Sequence, residues 1–588
     1  MSRILAGLLV FTLAGCVGLP QEGPIRSGTS RGSAERAEAP FDFTPDGPRA
    51  GATPLDIVGG FLQAMQATPV STVVAREFLT DEASSRWVPE KSTVVYGVQS
   101  LETGRRREVR MSLTDTVRLG PRGEWLGDTT SGRGVRRDLR LVREGGQWRI
   151  TNPPDALILP QAHFDTRFAQ QFLYFFDQTA QILVPEPVYL PRGEQAPTLL
   201  VRGLLRGPDQ NLPGVTKTFI PARTELDDLS VLMAGDGTAQ VPLSGEILDL
   251  DEESLDLALG QLAWTLRQIQ GVETMRVTVD GSPLEVPGQG IDLDVHGWAE
   301  LDPSVSWASE ELFGLRDGRV VTSVGTNERR IGGPFGTGHF DLRSIAVDLP
   351  AAQVAGVDEG GTRVLVASRA PEGEDASAQS RAQIVYAGGT DLLRPAWDIY
   401  AQTWLVDRRA GGATVSVVRD HTVTELDAKG ITGRNVKAFL VSRDGTRLVA
   451  VVAGERRDRL VVARILRGEN GAVRRLSTVT RLAVGTVVMD DIRDLAWRTP
   501  TSLALLTGPT PGVSQVVIAL IDGSSPLDEV TTAAEALRNT AVRIVTSPAP
   551  GAPVYVATKA WRLYELAPDG RWAGTNVKPG LRQPTFVG

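Results

Sequence analysis

The stretch LDLALGQLAWTLRQIQGVETMRVTVDG, residues 255–281, predicts a helix followed by a strand. Its leucines and isoleucine at 255, 259, 262, 266 and 269 are spaced by four and three residues, which places them on one face of an α-helix. Gly271 ends the helix. Met275, Val277 and Val279 then alternate with polar residues, as in a strand with one buried side.

Three acidic residues, Asp251, Glu252 and Glu253, come directly before this helix. They are compatible with two interpretations, a metal site and a charge complement to the amino end of the helix dipole. We favour the second.

The sequence upstream predicts two strands, a helix and a hairpin. Residues 171–176 and 181–184 are apolar strands around Asp177, and the aromatic cluster of the first is either a ligand platform or a half-buried core strand. The core interpretation is favoured because aromatic residues are common in strands. Residues 198–208 predict a short helix that stops at its Gly-Pro end. The segment 230–241 predicts a hairpin around a Gly-Asp-Gly turn.

Four phrases in this region carry a family resemblance. They are LLRGP at 204–208, VPLS at 241–244, GQLAWTL at 260–266 and VTVDG at 277–281. Residues 168–287 thereby resemble the GerMN domain, a small α/β module of bacterial envelope and sporulation proteins. The resemblance implies an interaction module without catalysis.

Residues 300–588 predict an all-β domain built from repeats. Short apolar strands are separated by Gly, Asp, Pro and Thr, and similar units begin at Arg343, Arg394, Lys437, Arg493 and Arg543. Repeats of about 40–50 residues with about four strands each are typical of propeller blades. With further strands near 312–324 and 553–572, we expect about six blades and a ring closed by pairing of the two ends within one blade. An irregular β-sandwich is the alternative.

Residues 53–160 predict an α+β domain. Thr53, Pro54 and Asp56 form a helix start, followed by apolar residues at helical spacing. A second amphipathic stretch runs through 74–79, and after Pro89 the pattern changes to strands. Helices followed by a sheet that ends in the phrase GGQWRI resemble the cone-shaped nuclear-transport-factor-like fold. Many such cones hold a pocket, but none of the usual acid–base pairs is evident here.

Cys16 is the single cysteine of the chain and follows a segment typical of a secretory signal. Residues 1–15 contain the positive Arg3, an apolar run over 4–13 that is too short to span a bilayer, and small residues before Cys16. The sequence LAGC matches the lipobox of bacterial lipoproteins. We therefore expect cleavage between Gly15 and Cys16 and lipid on the Cys16 thiol. The alternatives are an ordinary signal peptide with an accidental cysteine, or a buried core cysteine.

Residues 16–52 are predicted to be the lipidated cysteine and a flexible tether, since residues 17–52 are rich in Gly, Pro, Ser, Arg and Glu and poor in large apolar groups. Such a coil would span on the order of 30–35 Å.

No motif in the sequence indicates a cofactor, a metal or a catalytic centre. The four histidines are scattered, and there is no GxSxG elbow, P-loop or GxGxxG sequence. The phrase 292–297 faintly resembles a calcium loop but lacks its twelfth-position Glu, so we interpret it as a linker. The net charge of −8 gives no indication of nucleic-acid binding.

The order of lipobox, tether, helix-then-sheet domain, GerMN domain and propeller resembles the LpqB lipoproteins of actinobacteria. The resemblance implies a non-enzymatic accessory of a two-component system, held by palmitate-type lipid on the extracytoplasmic face of the cell membrane. Its implied partner is the extracytoplasmic domain of the sensor kinase MtrB. The alternative function is an envelope enzyme, or a glycan- or ligand-binding lipoprotein that uses the propeller or the cone pocket.

Overall fold

The computed structural model of the 588-residue chain describes residues 42–104, 107–128, 134–210, 212–370, 381–482, 491–525 and 535–588. Residues Asp42–Gly588 form one compact unit. This unit contains an α+β N-terminal domain, an α/β middle domain and a β-propeller, so the predicted multidomain fold class is confirmed.

The N-terminal domain begins with short helices and continues as two sheets. Its elements are α1 (Pro54–Ala64), α2 (Val73–Arg76), α3 (Asp81–Arg86), a 3₁₀ turn (Pro89–Lys91), β1 (Thr93–Tyr96), β2 (Val98–Thr103), β3 (Glu108–Thr114), β4 (Val117–Leu119), β5 (Trp125–Asp128), β6 (Val135–Glu144), β7 (Gln147–Ile150), β8 (Leu157–Pro160) and α4 (Gln161–Arg167). One sheet has the order β5-β4-β1-β8 and the other β2-β3-β6-β7. In the amphipathic stretch predicted over 74–79, Val74 lies in α2, and the buried Phe78 and Leu79 follow that helix before α3 begins.

Two local predictions in this domain are confirmed. The Thr53 hydroxyl accepts a hydrogen bond from the Asp56 amide, and the Asp56 carboxylate accepts one from the Thr53 amide, which completes a capping box. The GGQWRI hairpin joins β6 to β7 through Gly145 and Gly146, whose φ angles are 58° and 82°. Both residues occupy the left-handed region, which only glycine adopts without steric cost.

The predicted tether is shorter than expected at its carboxyl end. Phe43 and Thr68 pair through two backbone hydrogen bonds of 2.9 Å, and Pro45 is buried. Residues 43–45 therefore contact the N-terminal domain and are not part of a free tether. Residues 16–41 of the predicted tether lie outside the described residues.

The middle domain contains β9 (Phe168–Phe176), β10 (Leu183–Pro191), α5 (Ala196–Leu205), β11 (Leu232–Met233), β12 (Thr238–Leu243), a 3₁₀ turn (Gly245–Asp249), α6 (Glu252–Leu266), β13 (Thr274–Val279), β14 (Ser282–Pro283) and β15 (Leu293–Asp294). β9 and β10 form an antiparallel ribbon. β12 and β13 are parallel and connected by α6, whose apolar face joins the core. The predicted strands, hairpin and helices are confirmed, and the aromatic strand is half buried in this core.

The propeller contains, among the described residues, six sheets. Before them comes a 3₁₀ turn (Ala299–Leu301). The elements are β16 (Leu312–Arg316), β17 (Arg319–Val324), β18 (Asn327–Arg330), α7 (Pro334–Thr337), β19 (Leu342–Val347), β20 (Gln353–Asp358), β21 (Arg363–Ser368), β22 (Gln383–Ala387), β23 (Ala396–Trp397), β24 (Thr403–Arg409), β25 (Gly412–Arg419), β26 (Thr422–Leu426), β27 (Val436–Val441), β28 (Arg447–Val452), β29 (Arg459–Arg467), β30 (Val473–Leu476), β31 (Thr480–Arg481), β32 (Ile492–Thr499), β33 (Ser502–Thr507), β34 (Gln515–Leu520), β35 (Ala541–Val545), β36 (Tyr555–Thr558), β37 (Leu563–Leu566), β38 (Trp572–Gly574) and β39 (Arg582–Thr585).

The ring closes as predicted, by strands from both ends of the propeller in one blade. β39 pairs with β16, which gives a first blade of order β18-β17-β16-β39. The predicted unit starts fall at the first strands of the next five blades, β19, β23, β27, β32 and β35. The strands near 553–572 belong to the last blade rather than to the closing one, because they pair in series with β35.

Among the described residues, no helix has the length and apolar character needed to cross a bilayer.

Candidate functional site

The residues predicted from the lipobox, Gly15 and Cys16, lie outside the described residues. Asp292, Asp294 and His296, the faint calcium-loop phrase, do not converge on a cation. Asp292 is paired with Arg276, and Asp294 accepts a hydrogen bond from the His296 amide. Within the described part of the chain, no group of three or more His, Cys, Asp or Glu side chains is placed to hold a metal. Asp251 caps α6 by accepting the Ser254 amide at 2.8 Å, as the helix-end interpretation predicts.

The β9–β10 ribbon is the structural link among the three domains. Its nine paired positions run from Phe176 and Leu183 at the turn to Phe168 and Pro191 at the base. Towards the turn the ribbon contributes to the middle-domain core, and Tyr189 near its base belongs to the N-terminal core. Ile182, in the turn, packs into a propeller core. One hairpin therefore supplies side chains to all three domains.

The turn of the ribbon is ordered by the buried carboxylate of Asp177. One of its oxygens accepts hydrogen bonds from the amides of Gln181 and Ile182, and the other accepts the amide and hydroxyl of Thr179. The second oxygen also accepts the hydroxyl of Tyr400, at 2.7 Å, from the propeller. A buried carboxylate is stable only with such partners, so the turn is fixed at the point where it meets the propeller.

Tyr400 lies against a buried ion pair of the propeller. The Arg467 guanidinium is 4.1 Å from the centre of the Tyr400 ring and 2.6 Å from Asp398 Oδ2. Arg467 also donates to the Gln402 side chain and to backbone carbonyls, and its side chain is 2% exposed. Burial, and then the negative charge of Asp177, raise the pKa of the Tyr400 hydroxyl, which therefore remains a hydrogen-bond donor.

A second group of polar contacts lies along the side of the ribbon. Arg447 is buried, pairs with Asp444 at 3.1 Å and donates to the carbonyl of Pro185 at 2.8 Å. Burial, and then the charge of Arg464, lower the pKa of Arg447 to about 10, which still leaves the guanidinium charged at neutral pH. The neighbouring Glu186 carboxylate lies 3.6 Å from Arg464 of the propeller.

The base of the ribbon makes a third contact with the propeller. The Tyr189 hydroxyl is hydrogen-bonded to Ser524 and lies 3.3 Å from Asp522. Its amide donates to Gly123 of the N-terminal domain at 2.8 Å. The ribbon thus contacts the propeller at its turn, along its side and at its base through buried polar groups, and this set of contacts fixes its position.

One edge of the middle-domain sheet, formed by β11, carries exposed apolar side chains. The strand order β11-β12-β13-β14 leaves β11 at the edge of its sheet. Leu229 is 83% exposed, and Leu232, Met233 and Leu248 are also exposed. We call residues 225–233 together with the following 3₁₀ turn, 245–249, the apolar edge. Unpaired edge strands with apolar side chains are the places where a second chain can add a strand.

Acidic residues surround the apolar edge. Between residues 224 and 266 the chain has ten acidic residues and no Lys or Arg, and the acidic residues are Glu225, Asp227, Asp228, Asp236, Glu246, Asp249, Asp251, Glu252, Glu253 and Asp256. Eight of the ten are exposed. Hydrogen bonds from the Thr238 side chain and then its backbone lower the pKa of Asp236, and those from the backbone and then the side chain of Ser254 lower the pKa of Asp251. Arg202 contacts the edge by donating to the Leu229 carbonyl at 2.7 Å. The acidic residues outnumber this cation, so the edge is negatively charged at neutral pH and favours a basic partner.

A cavity of about 710 Å³ lies between the two sheets of the N-terminal domain. Its walls come from both sheets, β1, β4, β5 and β8 on one side and β3 and β6 on the other. A pocket in this domain is what the nuclear-transport-factor-like resemblance implies. Its lining contains apolar side chains, three cationic ones and the carboxyl group of Asp155.

The basic residues that mark three of the predicted repeat units connect neighbouring blades. Arg343 reaches Asp391 at 2.7 Å, just before the next blade, and Lys437 reaches Asp491 at 2.9 Å in the same way. Arg543 donates to Gln583 of the closing strand. These side chains stabilise the ring, which gives the repeated position a structural role.

Three family models match successive parts of the chain. The model described as "Lipoprotein LpqB, N-terminal domain" matches residues 47–165, and "Sporulation and spore germination" matches residues 172–285. The model described as "Lipoprotein LpqB beta-propeller domain" matches residues 318–584.

Relatives match over most of the chain. The chain is 27% identical to "Lipoprotein LpqB" of Thermobifida fusca (strain YX), with 94% of this chain and 93% of the relative covered. It is also 27% identical to "Lipoprotein LpqB" of Mycolicibacterium smegmatis, with 90% of each chain covered. Among solved structures, the first GerMN domain of the sporulation protein GerM from Bacillus subtilis is 25% identical with a TM-score of 0.18, covering 21% of this chain and 97% of that one.

Proposed function

Because the chain belongs to the LpqB lipoprotein family, we propose that it is a lipid-anchored protein that modulates a sensor histidine kinase by direct contact. The kinase is of the MtrB type, and the contact is with its extracytoplasmic domain. The anchor is lipid on Cys16, exposed by cleavage after Gly15, and it holds the protein on the extracytoplasmic face of the cell membrane. The protein acts by binding and catalyses no reaction.

The acidic, apolar edge of the middle domain carries this proposal. Exposed Leu229 and Leu232 lie beside an open sheet edge, within a segment that has ten acidic residues and no basic one. An extended basic segment of the kinase domain fits this surface, since its backbone can pair with β11 and its charges complement the acidic residues.

The anchor and the ribbon explain how binding at this edge affects a membrane protein. The anchor confines both proteins to one surface and raises their effective concentration. The ribbon fixes the middle domain to the propeller, so the contacting edge has a defined position on a large body. Binding shifts the kinase only when one kinase conformation is bound more tightly than the other. We therefore expect a change in autophosphorylation and not only an association.

The test uses purified kinase in liposomes. We expect the protein without its lipid to co-float with the liposomes through the kinase, and the lipidated protein to change the autophosphorylation rate. The double variant Leu229→Ser, Leu232→Lys removes apolar area from the edge and places one positive charge among the acidic residues. We expect it to lose roughly ten-fold or more in affinity. Liposomes without kinase measure co-flotation due to the lipid alone.

The matched control is Ile384→Ser, which removes a similarly exposed apolar side chain from β22 of the propeller. Both variants alter surface side chains, and we expect each to leave the free energy of unfolding within about 0.5 kcal/mol of wild type. If the wild type neither binds nor changes the kinase at micromolar concentration, the proposed function is wrong. If Ile384→Ser weakens binding and the edge variant does not, the contact surface is wrong.

The anchor has its own test. Cys16→Ala removes the thiol that would carry the lipid and also removes the lipobox cut, so the protein should lack acyl mass and keep residues 1–15. Intact-mass measurement of the wild-type protein from membranes checks this, and a mature protein without added acyl mass contradicts it. Durable anchoring requires more than one acyl chain, because a single chain binds membranes only marginally.

A further inference from the structure

The cavity of the N-terminal domain is lined by both apolar and polar side chains. Its most deeply buried lining residues are apolar, since Met111, Leu113 and Ile158 are each at most 2% exposed. Lys91, Arg118 and Arg137 line it and are exposed, so they stand where the cavity meets solvent. Its volume of about 710 Å³ is within the range of about 300–1,000 Å³ that small-molecule pockets occupy.

The side chains where the cavity meets solvent carry more positive than negative charges. The carboxylate among the lining residues is Asp155, and it lies 3.5 Å from Lys91. Within the described residues, the side chains of Arg118 and Arg137 have no hydrogen-bond or ion-pair partner. Two guanidinium groups are therefore available to an anion at the mouth of the cavity, and each can bind a carboxylate or phosphate through two parallel hydrogen bonds.

Strand geometry separates Arg137 from the neighbouring Arg136. Successive side chains of a strand point to opposite faces, and on β6 both Val135 and Arg137 line the cavity whereas Arg136 does not. Both arginines are exposed. The chain therefore contains a matched pair of cations, one at the cavity and one on the other face of the same strand.

We propose that this cavity binds an anionic single-chain amphiphile, with its apolar chain between the two sheets and its anionic group on Arg118 and Arg137. A carboxylate from a fatty acid and a phosphate from a lysophospholipid share this chemistry. The site is independent of the apolar edge and of the proposed kinase contact.

The test is photocrosslinking of a diazirine-bearing palmitate to the full-length protein in membranes, with mass-spectrometric mapping of the labelled peptides. We expect label on peptides that contain Met111, Leu113 or Ile158. Excess unlabelled palmitate and excess lysophosphatidylglycerol distinguish the two sources of anion by which one competes better. Dodecyltrimethylammonium, which has an apolar chain and a positive head group, should not compete.

Variants locate the site. The double variant Arg118→Glu, Arg137→Glu should reduce labelling roughly ten-fold, because it removes two charge-assisted contacts. Arg136→Glu changes the same kind of charge on the other face and should leave labelling unchanged. Leu113→Trp fills the cavity and should abolish labelling. The exposed arginine variants keep the test valid even if the tryptophan variant fails to fold.

Three results would overturn the proposal. They are label outside the cavity peptides, equal labelling of the Arg118→Glu, Arg137→Glu and Arg136→Glu proteins, and competition by the cationic amphiphile equal to that by palmitate.

Discussion

The ribbon and the apolar edge of the middle domain differ in almost every physical property. At the ribbon, the charged groups of the contact are buried and paired: Asp177 of the ribbon accepts from Tyr400 of the propeller, and Arg447 of the propeller donates to Pro185 of the ribbon. At the edge, apolar Leu229 and Leu232 are exposed, and most of the nearby acidic residues are solvated. Both surfaces belong to a domain with one continuous core.

This difference in burial suits the ribbon to a permanent contact and the apolar edge to a contact that forms and dissociates. Buried ion pairs are costly to break once formed, since removing one partner leaves an uncompensated charge away from water. An exposed edge with solvated charges can gain and lose a partner without that cost, and its charges act mainly on association rate and selectivity. The middle domain is therefore fixed to the propeller through the ribbon, and its apolar edge is accessible to a partner.

The largest expected effect is at the buried ion pair behind the ribbon. Arg467→Ala leaves Asp398 buried without its cation, and the free energy of unfolding should fall by about 3–5 kcal/mol. Urea unfolding followed by tryptophan fluorescence measures this. The control Arg571→Ala breaks an equally short but exposed pair with Asp569 and should cost less than about 1 kcal/mol. Equal losses in the two variants would mean that burial does not distinguish these contacts.

A smaller effect is expected at the tip of the ribbon. Tyr400→Phe removes one donor from Asp177 and leaves the four donors from within the ribbon turn. We expect a loss of about 1–2 kcal/mol and faster amide hydrogen exchange over residues 177–182. Tyr386→Phe removes a hydroxyl from an exposed contact with Arg409 and should change neither quantity. Unchanged exchange in the Tyr400→Phe protein would show that the tip does not depend on this bond.

The smallest effect is a pH dependence of the edge. The pKa values of Asp236 and Asp251 are held below the usual range by hydrogen bonds from Thr238 and Ser254. A carboxyl group with a lowered pKa keeps its charge until the pH falls through that lowered value. The charges of Asp236 and Asp251 should therefore persist at mildly acidic pH, so the double variant Asp236→Asn, Asp251→Asn should weaken co-flotation with the kinase as much at pH 5 as at pH 7. A weakening at pH 7 that disappears at pH 5 would contradict this prediction.

Local patterns predicted the elements well. The stripe of residues 255–269 gave α6, the Gly-Gly pair at 145–146 gave the hairpin, and the repeat near fifty residues gave the propeller. Each of these signals depends on neighbouring residues or on repetition, so one sequence is sufficient to detect it. The amphipathic stretch predicted over 74–79 is helical only at its start, since α2 ends at Arg76 and Phe78 and Leu79 follow it.

The candidate surfaces were only partly accessible to prediction. The acidic run over 225–256 is visible in the sequence, but its meaning depends on β11 being an edge strand. The cone pocket was expected from a resemblance, whereas its cationic rim was not, since Lys91, Arg118 and Arg137 lie on three separate elements. The lipobox prediction concerns residues outside those described, and it stays a prediction.

The sequence by itself determined the order of the domains, the position of most helices and strands, and the blade repeat, since all of these follow from periodicity and turn chemistry along the chain. Only the tertiary structure decided how the domains are joined. Asp177 meets Tyr400 across 223 positions, and Arg447 meets Pro185 across 262. No local pattern encodes such pairs, because a buried charge selects its partner by distance and geometry in the folded protein and not by separation along the chain.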